Sequence, residues 1–163
     1  MKKPELKALG ESAAKNKKYY MYRRPRPSLL ERFPTPKGQG GLNIHIEIPE
    51  FTSLCPITNQ PDWATIVIDY QPDDWCVESK SLKLYKEGYR LFGEFHEACC
   101  KRICSDLVKL LSPISIRVEG RFVPRGGVMI HPVVSYFDRK KAFYTDINVM
   151  LPDHSRLVRA GKA

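Results

Sequence analysis

SKSLKLYKEGYRLFGEFHEACCKRICSDLVKLL, Ser79–Leu111, is the stretch on which the fold turns. It holds no proline, and its apolar residues recur at helical spacing. Leu82, Tyr85, Tyr89 and Phe92 fall on one helical face, and Phe95, Cys99, Ile103, Leu107 and Leu110 on another. The spacing predicts two helices with Gly93 as their joint, because glycine suits a helix C-terminus. Ser112 and Pro113 stop the second helix. Outward from this segment, in both directions, the period falls to two. Upstream, Leu42, Ile44, Ile46 and Ile48 alternate with Asn43, His45 and Glu47, which predicts a half-buried strand ended by Pro49. FTSLCPITNQPD, Phe51–Asp62, reads as a loop broken by Pro56, Asn59 and Pro61. Trp63–Tyr70, β-branched and aromatic, reads as the next strand. Downstream, Ile114–Val123 and Val128–Phe137 alternate on either side of the turn Pro124-Arg125-Gly126-Gly127, and Ile147–Leu151 has the pattern of a short edge strand. The order is ββααββ. It predicts an α+β fold, an antiparallel sheet with two helices on one face. Long strands with open edges favour closure between subunits into an oligomeric barrel.

The chain has 163 residues, 42% of them hydrophobic, enough for one domain with a real core. Residues 1–41, rich in Lys, Pro and Gly, read as a basic N-terminal extension, and residues 42–163 as the catalytic domain. Lys and Arg number 27 against 18 Asp and Glu, a net charge of +9, with much of the excess at the two ends. Solvated basic termini account for that distribution, and no zinc-finger, RRM, KH or phosphate-loop pattern points to direct nucleic-acid binding. Apolar runs such as Thr65–Ile68 and Leu107–Leu111 are too short to span a bilayer. Met1–Lys18 has no apolar core of a secretory signal, so the five cysteines are expected to be reduced thiols in the cytoplasm.

Chemistry-bearing residues fall in four places. Cys55 lies in a loop beside Pro56, where a thiol can serve as an exposed nucleophile, and Asp62 follows seven residues on. Taken alone, a small buried apolar thiol and a turn aspartate account for both. Glu78-Ser79-Lys80-Ser81-Leu82-Lys83 opens the first helix, as a cap or as an anion site made of free amides and cations. His96-Glu97 opens the second, as a solvated helix start or as donor and acceptor for a polar heterocycle. No CxxC or HxxxH spacing supports a metal site. Cys99 and Cys100, three and four residues beyond His96, would lie at the edge of a pocket shared by His96 and Cys55, where one of them can form a reversible disulfide with Cys55.

FTSLCPITNQPDWATI (Phe51–Ile66), ESKSLKLY (Glu78–Tyr85), FHE (Phe95–Glu97) and GRFVPRGG (Gly120–Gly127), in that order and spacing, resemble the short NADPH-dependent 7-cyano-7-deazaguanine reductases, the nitrile reductases of queuosine biosynthesis for tRNA modification. The resemblance covers residues 42–137, with Asn59 where the family often has glycine. It implies the tunnelling fold, with a ββααββ subunit assembled as two pentamers. It implies NADPH as cofactor, and Cys55 as the nucleophile that forms a thioimide with the nitrile. Asp62 would be the proton donor, partly buried to raise its pKa, and His96 an aid to proton transfer. Val77, Glu78, Ser79, His96 and Glu97 would hold the guanine-like base. Ser79, Lys80 and Lys83 would hold the cofactor, with Arg125 meeting its phosphate. Two other readings are weighed against it: a zinc-dependent GTP cyclohydrolase relative acting on a purine or pterin, and a basic RNA-binding protein.

Overall fold

The computed structural model describes residues 24–138. A 3-10 turn at Pro27–Leu29 leads to β1 (Arg32–Pro34), β2 (Ile44–Leu54), β3 (Pro61–Gln71) and β4 (Trp75–Val77). Two helices follow, α1 (Ser79–Glu87) and α2 (His96–Leu111), then β5 (Ser115–Phe122) and β6 (Val133–Phe137). The main sheet has the order β2-β3-β5-β6, antiparallel throughout, with β2 and β6 at its edges. Ile66, Ile68 and Tyr70 of β3 and Ile116 and Val118 of β5 join one core with Leu82 and Tyr85 of α1 and Ile103, Leu107 and Leu111 of α2. Leu107 and Ile66 are fully buried, and each such side chain contributes about 1.5–3 kcal/mol by leaving water. Residues of opposite parity form the other face, where His45 Nδ1 meets Asp69 Oδ1 at 2.6 Å and Arg117 Nη2 meets Glu119 Oε2 at 2.8 Å.

The α+β expectation holds, but several boundaries move, and the last strand starts at Val133 rather than Val128 because the turn after Arg125 runs on. Pro49 does not end its strand. β2 runs on to Leu54 across a register shift between Ile48 and Phe51, and a proline without an N–H is tolerated on an edge strand at such a bulge. The predicted loop shrinks to Cys55–Gln60, between the end of β2 and the start of β3. The first helix stops at Glu87, with Gly88 as its cap, so Tyr89 and Phe92 pack from beyond the helix. A Cβ on Gly88 would meet Arg24 O and Pro25 Cα at 2.6 Å, so only glycine lets the incoming chain cross there. Gly93 lies in the joint between the helices, as expected, but beyond the end of α1, where it forms a parallel bridge to Leu54.

A further change is β4, which the periodicity did not show. It pairs antiparallel with β1, from the segment read as an extension. Arg32 of β1 lies over the Trp75 ring at 4.2 Å and donates to Leu110 O of α2 at 2.6 Å, while Leu30 enters the core. Most of the terminal cations and the edge strand read at Ile147–Leu151 lie outside the described residues. Among the described residues, no helix is long and apolar enough to cross a membrane.

Candidate active site

The loop between β2 and β3 is closed by two backbone hydrogen bonds, Cys55 N to Gln60 O at 2.8 Å and Asn59 N to Cys55 O at 2.9 Å. Asn59 takes the left-handed conformation that closure needs, with φ of 56°, a region asparagine tolerates. This folds the loop around the Cys55 sulfur, which is buried at 7% exposure. The Thr58 side chain hydrogen-bonds the sulfur, and the backbone amides of Thr58 and Ile57 do the same. Against the opposing effect of burial, these hold the thiol down from 9.0 to about 6. At neutral pH the thiolate therefore predominates, and the thiolate is the nucleophilic form.

Asp62, the second residue of β3, lies opposite Ser53 on β2 and is 4% exposed. Its Oδ1 is ion-paired with Arg125 Nη2. Its Oδ2 lies 3.2 Å from His96 Nε2, a buried nitrogen that is out of hydrogen-bond alignment. Burial holds the His96 imidazole below its usual 6.5, with Glu97 pulling the other way. The Phe122 ring stacks on the imidazole at 3.8 Å and 7°, which fixes its plane. Arg125 stands in a tight turn where Arg125 N and Val128 O, and Val128 N and Arg125 O, are each 3.0 Å apart. Gly126 and Gly127 supply the positive φ, 55° and 82°, that this turn requires. The Arg125 side chain also hydrogen-bonds Cys55. Thus Cys55, Asp62, His96 and Arg125 converge, with Glu97 exposed beside His96.

Val77, Glu78, Ser79, Lys80 and Lys83 do not join them. Val77 N–H donates to the Tyr70 hydroxyl at 3.1 Å, which ties the start of α1 to the far end of β3. Tyr70 stands eight residues from Asp62 along that strand, about 26 Å at ~3.3 Å per residue. The amides read as a possible anion site are taken. Glu78 accepts from Lys80 N at 2.8 Å and Ser81 N at 2.7 Å, and these bonds lower its pKa. Ser79, Lys80 and Lys83 are exposed. Ser79 and Lys83 line a cleft of about 310 Å³ between β2 and α1, with Ile46, Ile48, Val77 and Leu82 as apolar walls.

Three contributors escaped sequence reading: Thr58, Phe122 and the Arg125–Asp62 pair. Only Thr58 left a signal, a hydroxyl three residues after a loop cysteine. All five cysteines are free thiols. Cys99 and Cys100 are fully buried, and burial pushes both thiols up to about 12. Among the described residues, no group of three or more His, Cys, Asp or Glu side chains is placed to hold a metal ion.

A depressed thiol beside a buried acid, an imidazole and a guanidinium, on an α+β layer, is the arrangement of a thiol-dependent enzyme. Residues 61–141 match the family described as QueF-like protein. The chain is 53% identical over 110 residues to the NADPH-dependent 7-cyano-7-deazaguanine reductase of Exiguobacterium sibiricum, 68% of each chain. It is 50% identical over 133 residues to the enzyme of the same name from Helicobacter pylori, 82% of this chain and 87% of that one. With the Parabacteroides distasonis enzyme of that name it shares 46% over 153 residues, 93% of each. The chain belongs to this family, the QueF-like 7-cyano-7-deazaguanine reductases. A crystal structure of an archaeosine synthase QueF-Like in its apo form shares the fold, at TM-score 0.52 and 18% identity, over 61% of this chain and 95% of that one.

Proposed function

We propose that this protein reduces the nitrile of 7-cyano-7-deazaguanine to the primary amine with NADPH, in queuosine biosynthesis. The carrying observation is the Cys55 thiol, lowered to about 6 in a pocket that also holds Asp62, His96 and Arg125. A nitrile carbon is a weak electrophile, and thiolate addition turns it into a thioimide that can accept hydride. The sulfur–carbon bond forms as the nitrile nitrogen gains a proton. Asp62 is the donor, with His96 3.2 Å behind it as the relay. Glu97, exposed beside His96, accepts the paired N–H donors of the guanine-like edge. The reduction takes two hydrides, one from each of two NADPH bound in turn, and between them the sulfur–carbon bond breaks, so that Cys55 leaves as the thiolate and an imine remains for the second. The exposed Lys80 and Lys83 beside the apolar cleft suit an anionic, ring-bearing cofactor, and Ser79 and the half-exposed Arg125 complete the set. The charges that would hold its phosphates are side-chain cations, because Glu78 occupies the α1 amides. The curated relatives favour this reading over the zinc cyclohydrolase and RNA-binding ones.

One chain supplies only half of that site. Val77, Glu78 and Ser79 sit by the cleft between β2 and α1, apart from the Cys55–Asp62 cluster of the same chain, so a second copy would bring them to Cys55. Ile57, Trp63, Phe95 and Val128 are exposed apolar side chains around the Cys55 end, and β2 and β6 are open edges among the described residues. Both features support a closed barrel of the tunnelling fold, for which the family implies two pentamers. We read residues 42–163 as the catalytic domain, with the segment before it docked through β1, in a cytoplasmic enzyme. The test is intact-mass spectrometry of protein plus nitrile without cofactor, followed by NADPH oxidation. Wild type should gain one substrate mass per chain and then consume NADPH. Cys55→Ala should do neither, and an adduct surviving in that variant overturns the assignment.

A further inference from the structure

We propose that Arg125 is a positioning residue that lets Cys55 and Asp62 carry negative charge together in the free enzyme. Its guanidinium reaches both, ion-paired to Asp62 Oδ1 and hydrogen-bonded to the Cys55 sulfur. Asp62 is 4% exposed, and a carboxylate so buried takes up a proton unless it is paired. Two anions in one pocket repel, and one of them holds a proton unless a cation stands by both. The other ionisable groups around the pocket do not supply that cation. His96, on α2, is held toward its neutral form by burial, and its neighbour Glu97 is acidic. Glu94, on the approach to α2, is taken in a two-point pair by Arg102, at 2.9 and 2.5 Å. Arg125 itself is held in place by the Val128 turn, while its side chain remains 48% exposed. The inference deepens the reductase reading and rests on it only for the use of the thiolate. With both groups ionised at the start, adduct formation makes a carbon–sulfur bond and expels nothing. The one proton that the nitrogen gains must then reach Asp62 from solution, by way of His96, before Asp62 can donate it.

The test reads the free enzyme with iodoacetamide, so it fails or succeeds whether or not the nitrile is the substrate. The rate of Cys55 alkylation is followed against pH by peptide mass spectrometry. In Arg125→Gln the midpoint should rise by about one pH unit, and Arg125→Lys should recover most of it. In an Asp62→Asn background the same Arg125→Gln change should move the midpoint much less. Asp62→Asn alone, which leaves the guanidinium wholly to the sulfur, should lower the midpoint and reads the coupling even if Arg125→Gln does not fold. An unchanged midpoint in either single variant overturns the proposal. So does an equal Arg125→Gln shift with and without the Asp62 charge.

Discussion

The two ends of β3 are built differently. At the Asp62 end, Cys55, Asp62, His96 and Arg125 touch one another, and three of the four are buried. At the Tyr70 end, α1 opens with exposed Ser79 and Lys80, a self-satisfied cap at Glu78 and a cleft toward β2. One end is reactive as it stands, and the other is a receiving surface with no reactive group. Neither completes the proposed site alone, so on the proposed reading the chemistry would belong to the junction of two copies rather than to the fold of one.

The largest expected effect tests that junction. Cys55→Ala and Lys80→Glu/Lys83→Glu should each be inactive. Co-assembled in equal amounts, they should regain about a quarter of wild-type NADPH oxidation, because random pairing leaves that share of sites with both halves intact. Mixed assemblies as dead as their parents would place both halves in one chain. Next in size, Glu97→Gln puts an amide donor against the donors of the base. It should weaken binding roughly ten- to a hundredfold in calorimetry with melting unchanged.

Thr58→Val removes the first of the bonds that hold the Cys55 thiol at about 6. The thiolate is the reactive form, so the alkylation curve should move to higher pH, toward 9.0, and the rate at pH 6.5 should fall several-fold. A curve that stays put would mean the backbone amides suffice. Smallest of all, Glu78→Ala uncaps α1 and should lower the melting temperature by a few degrees. A shift of the Cys55 alkylation midpoint with it would place Glu78 of one copy beside Cys55 of the next.

The main sheet and both helices were legible because their burial is periodic: Ile66, Ile68 and Tyr70 face the core on every second residue, and Cys99, Ile103 and Leu107 on every fourth. What escaped depends on contacts between distant residues. Nothing near Gly88 announces that Arg24 and Pro25 cross there, 63 residues earlier in the case of Pro25. Pro49 reads as a stop because only the sheet order shows that β2 is an edge. β4 is three residues long, too short to show a period, and its partner lies in a segment whose composition suggests a tail. The site divides in the same way. Cys55, Asp62 and His96 were singled out by type and place but took their roles only from the family resemblance, whereas the Arg125–Asp62 pair spans 63 positions and appears only on folding.

Gly120 gives the catalytic pocket a tolerance that can be stated in tenths of an ångström. A Cβ at that position would lie 2.6 Å from both Cys100 Sγ and the Phe122 ring, so one of them must yield. Either choice is felt at the same imidazole: Phe122 is the plate on which His96 lies, and Cys100 is one helical turn along from it on α2. A methyl group on a strand with no catalytic residue of its own would therefore work as a lever on the proton path. Gly120→Ala would thus cost the protein twice, in stability through overpacking and in turnover through the imidazole it displaces.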